Sequence, residues 1–188
     1  MANRGVSPVI GVILVVAVVV ILVTTVSIFV FGFTGVITEP APNVADTTGE
    51  FEPEVGYPDN QLVKITHKGG DSVPVEEIEI IVRASMTHTD DREAQLVNLP
   101  SDGLWDGSID SDDVEGNEDL IDNFRDVENR IIIVEDSNTW EAGDTIQFRI
   151  PTSEADFREG ESPEADELEV IIVHTPSNAI ISEQTFTP

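Results

Sequence analysis

Residues 5–38 read GVSPVIGVILVVAVVVILVTTVSIFVFGFTGVIT, an unbroken stretch with no charged side chain. From Val9 to Val23 it is Val, Ile and Leu interrupted only by Gly11 and Ala17. Twelve valines lie between Val6 and Val36, and restricted χ1 freedom makes them poor helix formers in water. In lipid the backbone must pair within its own segment, so the same run predicts a helix there. Val9 to Ile37 is 29 residues, about 43 Å as a helix against a hydrocarbon core of ~30 Å, long enough to span and still project. Pro8 suits a first turn, where its missing N–H has no partner to lose. A cleaved secretory peptide has a shorter apolar region of roughly 7 to 15 residues and a small-residue cleavage site. An uncleaved anchor fits the length, with Arg4 held on the cytoplasmic side and the rest of the chain outside.

Beyond this run the chemistry changes. Residues 39–188 carry 37 acids against 8 bases, a net charge of −29. Such a charge repels nucleic-acid backbones and anionic lipid surfaces, so no nucleic-acid partner is expected. Only Lys64 and Lys68 are lysines; the other bases are arginines. An acid-rich, Lys-poor surface resembles proteins of salt-loving archaea, and molar salt shortens the Debye length to ~3 Å, screening the self-repulsion. Recurrent Val/Ile runs and two tryptophans supply core material, which argues against a disordered head. The absence of cysteine excludes disulfides, thiolate catalysis and Cys-based metal sites. No Asn-x-Ser/Thr acceptor occurs.

The stretch Arg4-Gly5-Val6-Ser7-Pro8-Val9-Ile10-Gly11-Val12-Ile13-Leu14 resembles the N-terminal signature of euryarchaeal, including haloarchaeal, type IV pilins. The resemblance implies a class III signal peptide: a prepilin peptidase cuts after the small residue that follows a base, and the apolar helix stays in the mature subunit. Carried over, Arg4 and Gly5 stand on the leader side of the cut and Val6 becomes the new terminus. Bacterial relatives usually bear a Glu at the fifth mature position; here that position is Ile10, so a charge pair with a neighbour's terminal amine is not available. The implied organisation is a leader at 1–5, a transmembrane and filament-core helix at 6–37, a linker at 38–50 and an extracellular head at 51–188. Thr24, Thr25 and Ser27 either bond back to carbonyls one turn earlier or let neighbouring helices approach. Gly32 and Gly35 have the same two readings, a loosened helix exit or close approach.

In the head, β-branched enrichment and alternation predict strands over Gln61–His67, Val75–Ala84, Arg130–Glu135, Thr145–Ile150, Glu167–His174 and Ala179–Phe186. Turns are expected at Lys68–Asp71, joining the first two strands as antiparallel neighbours, at Ala142–Asp144 and at Pro176–Asn178. The fold class expected is a long N-terminal apolar α-helix followed by an all-β antiparallel sandwich. Alternation places Val63, Ile65, Ile78, Ile80, Ile132, Val134, Ile146, Phe148, Val170 and Ile172 inward. Phrases such as Ile65–Asp71 and Val173–Ser177 also resemble, more loosely, segments in haloarchaeal pilin-like heads.

Candidate chemistry is sparse. The only histidines are His67, His88 and His174, and no HExxH, nucleophile elbow or phosphate-binding glycine loop accompanies them. His67 is expected to hydrogen-bond with Asp71 across the glycine turn. Asp106 to Asp113 sets oxygens at alternate positions like the start of an EF-hand loop, but Ser111 replaces its sixth-position Gly and Asn117 its twelfth-position Glu. It reads as a solvated acidic loop, with a weak cation site as the competing reading. No catalytic, metal or cofactor residue is assigned, and no enzyme activity is expected. The function expected is a structural filament subunit with a role in adhesion, partnered by a prepilin peptidase, other pilin subunits and the cell membrane. The alternative is a single-pass membrane-anchored extracellular binding module that does not polymerise.

Overall fold

The uncharged run forms one helix, α1, from Val6 to Phe33, 28 residues, in a computed structural model that describes residues 6–33, 40–53, 60–100, 109–122 and 138–187. At 1.5 Å per residue the helix is about 42 Å long. A helix pairs its interior backbone groups within one segment, which suits a run with no charged side chain and few polar ones. Side chains within α1 are described from Ile10 to Thr24, and all of them are exposed. Over the described residues alone, no helix is long and apolar enough to cross a membrane.

The chain divides into two units, Met1–Glu39 and Pro40–Pro188. Among its described residues the second holds ten strands: β1 Val44–Glu52, β2 Asn60–Gly70, β3 Val73–Pro74, β4 Ile78–Met86, β5 Arg92–Leu96, β6 Val114–Gly116, β7 Thr139–Trp140, β8 Thr145–Pro151, β9 Ala165–His174 and β10 Ala179–Phe186. They make a three-stranded sheet in the order β1-β2-β8, a five-stranded sheet β10-β9-β4-β5-β6 and a two-stranded ribbon β3-β7. Every pairing between named strands is antiparallel.

The core lies where the inward faces of the two larger sheets meet. Val63, Ile65, Ile146, Phe148 and Ile150 from the smaller sheet join Ile78, Ile80, Val82, Ala94, Leu96, Leu168, Val170 and Ile172 from the larger in one buried cluster. The strands at its centre alternate as period-2 burial requires, and Ile80 faces Ile172 across the β4–β9 pair. All eight of the expected inward residues that fall within the described regions are buried. Ile132 and Val134, with the strand expected over Arg130–Glu135, lie outside them.

Three expectations need correction. The stretch 38–50 was read as a linker, but from Val44 it is strand. The inward positions of β1 include Thr47 and Gly49, so the apolar alternation that reveals a strand is missing there. Lys68–Asp71 does not join two neighbours in one sheet. Gly69 and Gly70 end β2, paired with Asp46 and Val44, and the chain then crosses to the other sheet through β3 and a 3-10 turn at Val75–Glu77. That turn also takes the first three residues of the strand expected to begin at Val75. The turn at Ala142–Asp144 is present with Gly143 at φ 105°, a conformation that favours glycine. The turn at Pro176–Asn178 closes the β9–β10 hairpin, with Asn178 at φ 53°.

Because β1 is part of the head, a soluble version must begin by Pro40 rather than near Gly49. Its charge of −29 predicts a fold that holds in molar salt and loses structure at low ionic strength, as screening of like charges fails. Circular dichroism melts across a salt series test this. A melting temperature that does not move with salt contradicts it.

Candidate functional site

Of the three residues expected at a processing site, Arg4 and Gly5 lie outside the described residues, and Val6 is the first residue of α1. The surface that follows is apolar on all sides. From Ile10 to Val23 the large side chains are 51–65 % exposed. A helix of a globular domain buries a stripe and hydrates the rest, whereas one that is hydrophobic all round requires an apolar environment on every side. The hydroxyl of Thr24 is satisfied inside the helix, donating to the carbonyls of Val20 and Ile21 at 2.9 Å each. The back-bonded reading therefore holds for Thr24.

Two of the three histidines, His67 and His174, are buried in the head. His67 is fully buried, and its Nε2 lies 3.1 Å from the carbonyl oxygen of Asp71. A carbonyl only accepts, so Nε2 is the donor and carries the proton. The expected link across the glycine turn exists, but through the backbone of Asp71. The carboxylate of Asp71 instead accepts from the Asn43 N–H at 2.9 Å, tying the chain just before β1 to the end of β2. Trp140 packs edge-on against the His67 ring, centroids 4.9 Å apart.

His174 stands between Ser177 and Glu77, with Nδ1 2.7 Å from the serine hydroxyl and Nε2 3.3 Å from the carboxylate. Hydroxyl, imidazole and carboxylate in that order can activate a nucleophile, provided an acyl group is held beside the hydroxyl with donors for its oxyanion. Here the serine belongs to the same hairpin turn as the histidine. The Thr175 N–H and hydroxyl both donate to the Glu77 carbonyl, at 2.8 and 3.2 Å. The cluster fastens the tip of the β9–β10 hairpin to the 75–77 turn. His88 is exposed and 3.7 Å from Glu164.

The acidic stretch expected as a loop is described only from Ile109. Asp110 caps the 3-10 turn Ser111–Asp113 by accepting from the Asp112 N–H at 3.3 Å. Asp113 is buried at 8 % exposure rather than solvated. Among the described residues no group of three or more His, Asp or Glu side chains could hold a metal ion.

Two polar arrangements were not legible in the sequence. Buried Gln61 clamps the 155–157 segment, its Nε2 donating to the Ala155 carbonyl at 2.5 Å and its Oε1 accepting from the Phe157 N–H at 2.9 Å. Beside it, burial pushes the carboxyl of Asp156 up, but hydrogen bonds from the side chain and backbone N–H of Arg158 outweigh that and hold it below the ordinary carboxylate value. The second arrangement joins β1 to β10. Thr47 Oγ1 and Ser182 Oγ are 2.8 Å apart, and Gln184 donates to Thr47 Oγ1 at 3.0 Å while accepting from the Gly49 N–H at 3.2 Å. A lone Gln and a Thr–Thr–Gly run give no periodic signal, so only the folded register brings these groups together.

Residues 4–45 match the family described as archaeal type IV pilin, N-terminal. The match takes in the Arg4-Gly5-Val6 motif and all of α1, and it ends inside β1. The chain is also similar to an uncharacterized protein of Archaeoglobus fulgidus, 37% identical over 82 residues, which is 44% of this chain and 54% of that protein. The chain thus spans about half the length of this relative. No solved structure matches.

Proposed function

We propose that this chain, which carries the N-terminal domain of archaeal type IV pilins, is a structural subunit of a surface filament. The observation that carries the reading is the 28-residue α1, uncharged throughout and exposed at every described position, within the segment that matches the family. In the precursor the helix spans the cell membrane with Arg4 cytoplasmic and the acidic head outside. A prepilin peptidase removes residues 1–5, cutting between Gly5 and Val6. The helix then leaves the bilayer and packs among the helices of other subunits. Its two successive apolar surroundings, lipid and then filament core, account for its all-round hydrophobicity. The sandwich-like heads form the filament's outer surface, where adhesion is the role that follows. The reading assigns no catalytic role.

A second reading is an anchored binding module that never polymerises, favoured by the head having its own core and lying almost wholly outside the family match. Replacing Gly5 separates the two. Insertion depends on the uncharged run and survives Gly5→Glu, whereas a bulky acid at the cut should keep the scissile bond from the peptidase. The variant is expected to accumulate in the membrane with its leader attached and to be missing from filaments. Filaments built from uncut subunits would overturn the assignment of the processing site.

A further inference from the structure

β1 is the first strand of the head after the helical unit, and its two sides are held differently. On one side its backbone pairs with β2 from Val44↔Gly70 to Glu52↔Leu62, with register shifts near Asp46. On the other it meets β10 through side chains: the Thr47–Ser182 and Thr47–Gln184 contacts, the Gly49 N–H on Gln184, and Phe51 against Phe186 at 5.7 Å. The approach is close enough that a Cβ on Gly49 would lie 2.6 Å from Phe186 Cζ. None of the described β1 side chains is fully buried; Val44 and Phe51 are partly buried and pack against the core without entering it. In β4, by contrast, Ile80, Val82 and Ala84 have no exposure at all, and backbone pairing holds both its edges.

We infer that β1 is a releasable strap. It leaves β2 and β10 while the two-sheet core stays folded, and so lengthens the chain between α1 and the core. Nine extended residues add about 30 Å of reach. Asp46, Thr48, Glu50 and Glu52 are already exposed, so opening changes their hydration little, and it restores the freedom of the strand's backbone. It also parts the ion pair between Glu52 and Lys64, whose partly exposed partners make it a contact of small net worth. The apolar surface uncovered is confined to the strand's margin: Val44 and Phe51, both only partly buried, leave the cluster between the sheets, and the Phe51 ring parts from Phe157, 5.1 Å away, and from Phe186. Elements with few buried contacts open at lower free energy than the core, as cooperative sub-global units. This inference concerns the head alone and stands whether or not the chain polymerises.

Amide hydrogen exchange on the full chain in detergent micelles at molar salt tests it. The β1 amides paired with β2 are expected to exchange about 100-fold faster than the β4 amides paired with β9. Ile80→Val provides the second arm, because it weakens only the core. It should speed exchange in β4 and β9 about fivefold and leave β1 unchanged, since β1 opens without disturbing Ile80. Rates in β1 within about threefold of those in β4, or an equal acceleration of β1 and β4 by Ile80→Val, would show that β1 opens only with the whole head and would overturn the inference.

Discussion

Val19→Lys is expected to leave the chain in the membrane and remove it from filaments. Besides Val19, residues 9–23 contain 12 Val, Ile and Leu side chains, each favouring insertion by about 0.3 to 0.6 kcal/mol, against about 2.5 to 3.5 kcal/mol for one Lys at the helix centre. The sum still favours insertion, so membrane fractionation should find the variant at close to normal levels. A packed bundle of helices differs from a bilayer in that the long side chain cannot reach water by snorkelling. Every subunit would bring an unpaired charge inside, at several kcal/mol each. The assembled fraction should fall at least about tenfold, while Val19→Leu assembles normally. Normal entry of Val19→Lys into filaments would show that α1 is not buried among other helices.

Phe148→Ala should be the most damaging single change in the head. The ring is fully buried on β8, opposite Val63, in the cluster shared by the two larger sheets. Truncating such a ring typically costs about 3 to 5 kcal/mol, a large part of the roughly 5 to 15 kcal/mol that holds an ordinary domain together. At the size of this head that lowers Tm by about 10 to 15 °C. Truncation of Ile180, 58% exposed on the edge strand β10, should cost far less. Equal losses for the two would contradict the assignment of the core.

The parts of the fold legible in the sequence were those in which one physical requirement dominates. α1 was visible because 34 consecutive positions without a charge leave few alternatives. β10 was read with its observed bounds, Ala179–Phe186, because a turn and alternating residues mark it. Val63 and Ile65 were placed correctly on the inward face for the same period-2 reason. β1 was hidden because its inward positions include Thr47 and Gly49 beside Phe51, and these two contact Ser182, Gln184 and Phe186. Only the folded register creates those contacts. Gly69-Gly70 misled because a glycine pair signals a turn but not which strands it joins, and here it ends β2 before a change of sheet. β6, three residues long, is too short to leave a pattern. The same contrast holds for function: the N-terminal motif is local and could be read directly, whereas the His174–Ser177–Glu77 cluster depends on two segments 97 residues apart.

The intact mass of the chain in filaments sheared from the cell surface tests the central claim most directly. The account predicts a filament component whose mass begins at Val6, with residues 1–5 gone and the apolar helix retained. A chain found only in the membrane fraction at full length, still carrying Met1 or Ala2, would contradict it and leave the anchored module as the reading.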